Sequence, residues 1–376
     1  MSPTPLIDSM APLTPQERQH YGRHLLLPEI GESGQRRLKE ARVLMIGAGG
    51  LGSPVGLYLA AAGVGTLGIV EDDRIEASNL HRQVLYGVEQ LGELKLDAAV
   101  ARLRSLNPHI TLVPHPVRLD VDNALELLGQ YDLIVDGTDN FPTRYLVNDA
   151  CVLLGKPFVS AAISGFEGQL SVFWPGHGPC YRCVYPEPPP PGLAPSCAEG
   201  GVLGVLPGIM GTFQANEAIK TLLGIGEPMI GRLLQFDALQ MQFQQYQLRR
   251  RDSCAACGSG APRTLGSYEH ACTVESPVPE LGADAVERML SSGERFALID
   301  VRDDHEWNAM HIAGARHISL ARLHENLSSI DPALPIVVYC QAGVRSRRAV
   351  ELLRSHGIAQ VHSLRGGIQA WNGQVA

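Results

Sequence analysis

Short aliphatic segments alternate with segments of helical length in the N-terminal part of the chain. Arg42–Ile46 and Thr66–Val70 have the length and the apolar character of buried strands, and residues 50–62 between them predict a helix. Continuous apolar strands of this kind are buried on both faces, as in a parallel sheet. The pattern predicts a strand–helix–strand unit within an α/β fold whose sheet is doubly wound and Rossmann-like.

The same alternation continues to about residue 160. A capping box with proline at the first helical position, residues 14–17, predicts a helix that runs to about Leu27. Apolar residues recur at helical spacing over residues 93–106, which places Lys95 near the start of a helix and off its apolar seam. The remaining predicted elements here are strands at 110–113, 133–135 and 157–160 and helices at 122–128 and 142–154.

After about residue 165 the pattern changes to that of an antiparallel extension. Strands are predicted at residues 169–173 and 233–236, around an apolar helix at 210–223. A proline-rich stretch at 186–197 predicts an extended loop. The extension therefore completes the first domain with elements that do not follow the strand–helix alternation.

A second, smaller unit follows a stretch without periodicity at residues 258–280, which we interpret as a linker. Strands are predicted at 296–299 and 336–339, and a helix at 345–356. The predicted organisation is a Rossmann-like first domain at 1–257, the linker at 258–280 and a small α/β domain at 281–376.

Composition narrows the class of protein. The chain has 376 residues, 45% hydrophobic and 19% charged, and a net charge of −8, which gives no general attraction to nucleic acid or to an anionic membrane. The charge-free stretch 43–70 is long enough to cross a bilayer, but its glycines and Pro54 favour a buried sheet region instead. The first 17 residues have neither basic nor apolar signal features, so we expect a cytoplasmic protein. Its eight cysteines are then expected to be ligands or nucleophiles rather than disulfide partners.

A glycine-rich loop lies between the first predicted strand and helix. Its glycines, Gly47, Gly49, Gly50 and Gly52, fit the G-x-G-x-x-G pattern, and Glu71 follows the next strand. Backbone N–H groups in such a loop bind phosphate at a helix N-terminus, and the carboxylate accepts hydrogen bonds from ribose hydroxyls. These features predict a nucleotide site, with Asp73 as the alternative ribose ligand.

Four further positions favour ATP over a dinucleotide. Asn79 and Arg82 lie in the block Ser78-Asn79-Leu80-His81-Arg82-Gln83, Lys95 follows, and Asp139 lies in Thr138-Asp139-Asn140 after a predicted strand. Attack on an α-phosphorus requires cations that neutralise the phosphates and an acid that holds Mg²⁺, whereas hydride transfer requires neither. Taken singly, Lys95 and Arg82 are equally explained as solvated surface charges.

Two Cys-x-x-Cys pairs, Cys180 with Cys183 and Cys254 with Cys257, supply four soft ligands. Four thiolates without a further partner are typical of a closed, structural Zn²⁺ site. Two redox-active dithiols are the alternative, because the pairs are far apart in sequence.

A further cysteine, Cys340, lies between a predicted strand and helix in Cys340-Gln341-Ala342-Gly343-Val344-Arg345-Ser346. Backbone N–H groups at the helix start, together with the positive charge of Arg345, should stabilise a thiolate or a bound persulfide. The span from cysteine to arginine is one residue shorter than in phosphatase loops and favours sulfur over phosphate. Cys340 is thus a predicted nucleophile.

Residues 15–257 resemble the ubiquitin-activating-enzyme superfamily in its bacterial MoeB/ThiF form, through the glycine loop, the 78–83 block, Lys95, the Thr-Asp-Asn motif and the cysteine pairs. The resemblance implies ATP-dependent adenylation of the C-terminal glycine of a ubiquitin-like sulfur carrier of the MoaD, ThiS or CysO kind. It implies a homodimer in which Arg23 reaches the partner's phosphates, catalysis involving Asp139, and nucleotide contacts from Asn140 and Arg144. Cys197 matches a loop cysteine of the superfamily. It either takes part covalently in the reaction or is a thiol without a role in it.

Residues 277–374 resemble a single-domain rhodanese, through Asp300-Val301-Arg302, the segment 311–318 and the Cys340 loop. For His311 and His317 we expect packing roles rather than catalysis. A chain with both domains is similar to the fused adenylyltransferase/sulfurtransferases of the MoeZ type. The resemblance implies sulfur transfer from a Cys340 persulfide to give a carrier thiocarboxylate, in molybdenum cofactor or related biosynthesis, with a cysteine desulfurase or thiosulfate as sulfur donor.

Two other functions use part of the same pattern. A nicotinamide-dependent oxidoreductase would use the glycine loop and Glu71 for a dinucleotide, and a noncatalytic scaffold would bind carriers without turnover. The phosphate-binding cations and the predicted metal-binding acid favour the adenylating enzyme over both.

Overall fold

The structure, a computed structural model, describes residues 4–188, 201–261, 264–266, 278–293 and 295–375. The chain divides into two units, Met1–Thr273 and Val274–Ala376. Cys197 and Cys272 lie outside the described residues, as does most of the predicted proline-rich loop.

The described part of the first unit is built on an eight-stranded sheet with the order β3-β2-β1-β4-β5-β6-β7-β8. Neighbours from β3 to β5 are parallel and those from β5 to β8 are antiparallel. The strands are β1 (Arg42–Ile46), β2 (Thr66–Val70), β3 (Thr111–His115), β4 (Leu133–Asp136), β5 (Phe158–Ser164), β6 (Glu167–Phe173), β7 (Arg232–Asp237) and β8 (Gln242–Gln247). The predicted α/β class and antiparallel extension are confirmed.

Helices cover both faces of this sheet. They are α1 (Pro15–His20), α2 (Gly22–Leu25), α3 (Gly31–Glu40), α4 (Gly52–Ala62), α5 (Lys95–Leu106), α6 (Ala124–Gly129), α7 (Phe141–Leu154), α8 (Tyr181–Val184) and α9 (Leu206–Leu223). Strand β1 explains the two layers, since its residues alternate between faces. Val43 and Met45 join the core under α4, α5 and α9, and Leu44 and Ile46 join the core under α6 and α7.

The register places the chemistry at one edge of the sheet. Ile46 at the end of β1 lies opposite Val70 on one side and Asp136 on the other. The loops that follow β1, β2 and β4 therefore leave the sheet side by side, at the carboxyl ends where doubly wound sheets bind ligands.

Two local features differ from the sequence expectation. The single helix predicted up to Leu27 is interrupted at Tyr21, whose ring is buried and whose hydroxyl accepts a hydrogen bond from Asn107 Nδ2 at 2.9 Å. Burying this ring redirects the chain and splits the helix into α1 and α2. Strand β8 was not predicted, because its residues are exposed and mostly glutamine.

The second unit has a five-stranded parallel sheet with the order β11-β10-β12-β13-β9. Its strands are β9 (Glu280–Leu281), β10 (Ala297–Asp300), β11 (Arg316–His317), β12 (Ile336–Tyr339) and β13 (Val361–Leu364). Its helices are α10 (Ala283–Ser292), α11 (Asp304–Ala309), α12 (Leu320–Leu323) and α13 (Val344–Ser355). Glu280, the last residue of the predicted linker, lies in β9 and pairs with β13.

A search of the described helices finds none with the length and apolar character needed to cross a membrane.

Candidate active site

The loop from Gly47 to Gly52 turns the chain from β1 into α4. Its backbone conformation and close packing favour glycine at both ends. Gly47 has a φ of 88°, and a methyl group on Gly52 would lie 2.1 Å from the Gly47 carbonyl oxygen. The Tyr86 hydroxyl donates to the Ala48 carbonyl at 2.7 Å. The loop is therefore held tightly, with its backbone close to the start of α4.

The acidic residue after β2 binds this loop directly. Glu71 Oε2 accepts from the Ala48 N–H at 2.9 Å, and Oε1 accepts from the N–H groups of Asp72 and Asp73 at 3.1 and 3.0 Å. One carboxylate therefore reaches both the loop and the following turn. Glu71 is thus the acid that lies beside the glycines.

Asp73 faces a different partner, the ammonium of Lys95 at the start of α5. The Lys95 backbone N–H also donates to the Asp73 carbonyl at 3.0 Å. Burial works to raise the pKa of the Asp73 carboxyl, but the hydrogen bond and charge of Lys95 together with the Arg74 N–H outweigh it, and the pKa is lowered. Lys95 is buried, so the interpretation of this residue as a solvated surface charge is wrong.

The block 78–83 packs against the same loop. A methyl group on Gly50 would lie 3.7 Å from Arg82 Cγ, and one on Gly49 would lie 3.6 Å from Gln83 Nε2. Asn79 is buried, and its carbonyl accepts from the backbone N–H groups of Arg82 and Gln83, both at 3.0 Å. The backbone of Asn79 therefore fixes the two residues that border the glycines.

The Thr-Asp-Asn loop stands on a buried ion pair that the sequence analysis did not identify. Asp136, at the end of β4, has no exposed surface; its Oδ2 pairs with Arg144 Nε at 3.2 Å and its Oδ1 accepts from the Thr138 hydroxyl at 2.6 Å. Arg144 also donates to the carbonyls of Thr138 and Ala161 at 2.8 and 3.1 Å. The sequence signal available for Asp136 is an acid at the end of an otherwise aliphatic strand.

Above this pair, Asp139 is exposed and Asn140 caps α7 by accepting from the Thr143 N–H at 3.0 Å. The Arg144 guanidinium donates to Asp136 and to the carbonyls of Thr138 and Ala161 in the interior, whereas Asp139 is exposed. The loop therefore presents the acid of the motif to an incoming ligand and keeps the arginine beneath it.

Helix α9 covers the loop from the other side. A methyl group on Gly50 would lie 3.2 Å from Pro207, and one on Gly211 would lie 2.4 Å from the Leu51 carbonyl oxygen. The sequence predicted the helix from residue 210, so its first turn and the contact with the glycine loop were missed.

Arg23 lies in α2, well exposed, and it makes no ion pair or hydrogen bond within the described part of the chain. Leu26 and Leu27, which follow it, are also exposed, at 72% and 47%. Leu26 and Leu27 thus form an exposed apolar surface next to Arg23, a cation without a partner among the described residues.

The four cysteines of the two pairs come together in the first unit. Their sulfur atoms all lie within 4.8 Å of one another, with Cys180 3.6 Å from Cys254 and Cys183 3.4 Å from Cys257. A zinc tetrahedron with Zn–S bonds of about 2.3 Å requires S···S distances of about 3.8 Å. The donor set and its spacing fit a structural Zn²⁺ ion.

The first cysteine knuckle is anchored to α7. Arg182, between Cys180 and Cys183, donates to both carboxylate oxygens of Asp149, at 2.8 Å from Nε to Oδ1 and 2.9 Å from Nη2 to Oδ2. Its guanidinium also lies over the ring of Tyr145, 4.5 Å from the centroid. The cysteine cluster therefore ties the extension to the Rossmann-like part.

In the second unit, Cys340 directly follows β12, beneath the first turn of α13. The Gly343 N–H donates to Cys340 Sγ at 3.1 Å, and the sulfur lies 3.6 Å from the Ser346 hydroxyl. Gly343 has a φ of 99°, which a residue with a side chain rarely adopts. The loop thus wraps around the sulfur atom, as the sequence predicted.

The charges around this loop differ from the expectation that Arg345 adds free positive charge. Its guanidinium makes two hydrogen bonds to Glu306, at 2.6 and 2.7 Å. Arg302 is likewise bound by Asp300 and reaches the loop through Gln341 Oε1 at 3.2 Å. Both guanidiniums are neutralised by carboxylates and hold the loop in place, because helix α11 and strand β10 bring the acids against it.

His311 and His317 stack on the ring of Trp307, with centroid distances of 3.6 and 5.0 Å. His317 Nε2 is 2.8 Å from the Arg302 carbonyl, and His311 Nδ1 is 3.1 Å from the Trp307 carbonyl. Both imidazoles therefore pack and bond to backbone, in agreement with the sequence expectation.

Two family models match the chain. The ThiF family model matches residues 21–256, and the model of the rhodanese-like domain matches residues 282–374. The chain is 47% identical to the probable adenylyltransferase/sulfurtransferase MoeZ of Mycobacterium tuberculosis, over 99% of this chain and 97% of that protein. It is 55% identical to the sulfur carrier protein adenylyltransferase of Thermus thermophilus, over 69% of this chain and 98% of that protein.

Among solved structures, the chain is similar to E. coli MccB crystallised with ATP. The TM-score is 0.54 at 22% identity, over 59% of this chain and 68% of that one. At this identity the likeness establishes the fold.

Proposed function

The chain belongs to the ThiF family and carries a rhodanese-like domain, and on that basis we propose that it adenylates the C-terminal glycine of a ubiquitin-like sulfur carrier and then transfers sulfur to it. It is an adenylyltransferase and a sulfurtransferase, like its relatives. The observation that carries this proposal is the meeting of the glycine loop, Arg82, Lys95 and the Asp139 loop at one sheet edge, in a chain that also holds Cys340 under a helix start.

In this proposal ATP lies along the glycine loop with its phosphates towards the start of α4. Glu71 binds the ribose, because its carboxylate lies against the glycine loop at Ala48, whereas the Asp73 carboxylate faces Lys95. Arg82 and Lys95 neutralise the phosphates, and Asn79 holds Arg82 in register with the glycines. The transition state therefore receives positive charge from two side chains whose backbones are fixed before ATP binds.

Asp139 is the proposed ligand of Mg²⁺. An exposed carboxylate on the loop after β4, beside the glycine loop, fits the preference of this cation for oxygen ligands. When bound, the ion would neutralise charge on the phosphates. Asn140 caps α7 and fixes the loop, and we assign to Arg144 a positioning role beneath it rather than a phosphate contact.

The carrier needs an apolar platform close to this edge. Leu239 and Met241, at the turn into β8, are 71% and 70% exposed, and Ala238 is hydrogen-bonded to the carbonyl of Phe166, itself 43% exposed. Contiguous exposed apolar residues of this kind are typical of protein-binding surfaces. We propose that this surface docks the folded part of the carrier.

We propose a homodimer formed through the first domain, in which α2 carries Arg23 to the nucleotide site of the partner. The exposed Leu26 and Leu27 would be covered by such an interface. This gives a role to the exposed cation, which would complete the phosphate-binding set from a second copy of the chain.

The proposed reaction has three steps, followed by reduction of the disulfide that the third step leaves. The carrier carboxylate attacks the α-phosphorus of ATP and pyrophosphate leaves, giving an acyl adenylate. The outer sulfur of a Cys340 persulfide attacks the acyl carbon, and the carbon–oxygen bond to AMP breaks. A thiol, for which Cys197 is the proposed source within the chain, then attacks the Cys340 sulfur, the sulfur–sulfur bond breaks and the thiocarboxylate leaves. Two equivalents of an external thiol reduce the resulting disulfide to two cysteines and are themselves oxidised to a disulfide.

Carrying both steps on one chain raises the effective concentration of the persulfide at the adenylate. A cysteine desulfurase or thiosulfate is the proposed sulfur donor, and molybdenum cofactor biosynthesis is the proposed context, with the thiocarboxylate carrier as product.

The test uses the full-length protein, ATP, a candidate carrier and a sulfur donor. Wild type should catalyse carrier-dependent exchange between ATP and pyrophosphate and should raise the carrier mass by the difference between sulfur and oxygen. Cys340→Ala should keep the exchange and lose the mass gain, and Asp139→Ala should lose both. Cys151→Ala, at a buried thiol in α7, is the matched control. A thiocarboxylate made by Cys340→Ala would contradict the assignment.

A further inference from the structure

The two side chains of the Lys95–Asp73 ion pair differ in their exposure to solvent. The Lys95 side chain is only 6% exposed, whereas that of Asp73 is 60% exposed. A buried ammonium needs a partner, because an isolated charge in the interior is costly. Among the described residues, Asp73 supplies the carboxylate that is paired with it.

Asp73 is fixed independently of this pair. Its Oδ1 accepts from the Arg74 N–H at 2.8 Å, its own N–H donates to Glu71, and its carbonyl accepts from the Lys95 N–H. The carboxylate therefore stays where it is when the lysine changes partner. The flexible stem of Lys95 is the part that can turn, since it carries three donors on rotatable bonds.

From this geometry we infer that Asp73 is the resting counter-ion of Lys95: the lysine leaves Asp73 for the phosphates when ATP binds and returns to it when pyrophosphate leaves. This role rests on the proposed function, because it takes the cleft beside Lys95 to be the triphosphate site. It differs from the ribose role, which we have proposed for Glu71.

The consequence is that Asp73 weakens the binding of polyphosphate. Because the carboxylate stays in place, we take its negative charge to remain about 6 Å, or two hydrogen-bond lengths, from the phosphates that the ammonium reaches. At this separation and an effective dielectric constant of about 40, removing one like charge strengthens binding about tenfold. A ligand without the outer phosphates, such as AMP, should not respond to the change.

The same competition should act on turnover. Because the carboxylate takes the lysine back, it favours release of pyrophosphate once the adenylate has formed. Removing it should lower the KM for ATP and also lower kcat where release of pyrophosphate limits the rate. A substitution that only damages the structure would raise the KM for ATP. The direction of the change in KM therefore distinguishes structural damage from loss of the competing charge.

The experiment is isothermal titration of the full-length protein with pyrophosphate, ATP and AMP, for wild type, Asp73→Asn and Asp72→Asn. Asparagine keeps the acceptor for the Arg74 N–H. Asp72 is the exposed neighbour, and its replacement removes the same charge next to the pair without touching Lys95. Unfolding midpoints of the three proteins establish that each is folded.

We expect Asp73→Asn to bind pyrophosphate and ATP about tenfold more tightly than wild type, with AMP binding unchanged and Asp72→Asn close to wild type. Weaker binding of AMP and ATP by Asp73→Asn would make Asp73 a ribose ligand and overturn the inference. Equal binding of pyrophosphate by all three proteins would also overturn it. Failure of wild type to bind ATP at all would instead reject the proposed function on which it rests.

Discussion

Glu71 accepts a hydrogen bond from the backbone N–H of Ala48, inside the glycine loop, at 2.9 Å. The second oxygen of the same carboxylate binds the N–H groups of Asp72 and Asp73. One side chain thus fixes the distance between the glycine loop and the turn that carries Asp73, the counter-ion of Lys95. The acid proposed to bind ribose therefore also holds the glycine loop in place.

The first prediction concerns this carboxylate. Glu71→Ala should weaken AMP and ATP binding by at least about tenfold, since the ribose loses its acceptor and the loop loses a charge-assisted bond. Pyrophosphate binding should change much less. Titration calorimetry with the three ligands measures this, with Glu76→Ala, an exposed acid of the same segment, as control. Unchanged AMP affinity in Glu71→Ala would remove Glu71 from the site.

The second prediction concerns the buried pair beneath the Asp139 loop. Arg144→Met leaves the Asp136 carboxylate without its cation and should lower the free energy of unfolding by about 3–5 kcal/mol, because breaking a buried pair strands a charge. Urea denaturation followed by circular dichroism measures the loss. Arg182→Met, in the more exposed pair with Asp149, should cost less. A stable Arg144→Met protein that fails to bind ATP would instead make Arg144 a nucleotide ligand.

A feature of the fold or of the site could be predicted from the sequence when residues close to it in the chain determine it. It could not be predicted when its partners come from another element. Strands β1 and β2 were predicted at their observed bounds, because continuous aliphatic runs have few other uses. The cysteine cluster followed from ligand chemistry alone. In contrast, β8 is exposed on both faces, so no pattern of buried positions marks it.

Pairings across the fold were not predicted. The sequence indicated that Lys95 and Arg345 carry positive charge near a site, and it gave no sign that Asp73 and Glu306 neutralise them. These acids are brought in by separate elements, and periodicity within one element carries no information about the other. Asp136 was missed for the same reason, since only the register of β4 beside β1 shows where it lies.

The third prediction concerns the four cysteines. The purified protein should contain about one zinc per chain, and Cys254→Ser should lose it together with thermal stability of the first unit, because metal binding contributes folding free energy. Metal analysis and a thermal melt measure the two effects. Cys151→Ala removes a buried thiol outside the cluster and should keep its zinc. Full metal content in Cys254→Ser would exclude this cluster as the site.

The fourth prediction concerns pH and the Cys340 loop. Burial works to raise the pKa of Glu306, but the hydrogen bonds and charge of Arg345, the Asp303 N–H and the charge of Arg302 together outweigh it, so its pKa is lowered on folding. A lowered pKa stabilises the folded state above the ordinary pKa of glutamate, and this contribution is lost as the pH falls through the lowered value. Glu306→Gln should therefore destabilise the second unit at pH 7 by about 1–2 kcal/mol, and the difference should shrink below about pH 4.

Fluorescence-detected unfolding of the full chain over a pH series measures this difference, since Trp307 and Trp371 both lie in the second unit. Glu325→Gln, at an exposed acid of the same unit, is the control. A loss that is the same at pH 7 and at low pH would show that the side chain acts by packing alone.

The fifth prediction tests whether Arg23 acts across a dimer. Arg23→Ala and Asp139→Ala should each be inactive in carrier adenylation. If Arg23 serves the partner's site, a heterodimer of the two variants contains one site with both changes and one with neither. Random exchange of subunits should then restore about a quarter of wild-type activity, because half of the dimers are mixed and each has one intact site. Arg23→Ala mixed with itself is the control, and an inactive mixture of subunits shown to have exchanged would place Arg23 in its own site or outside any site.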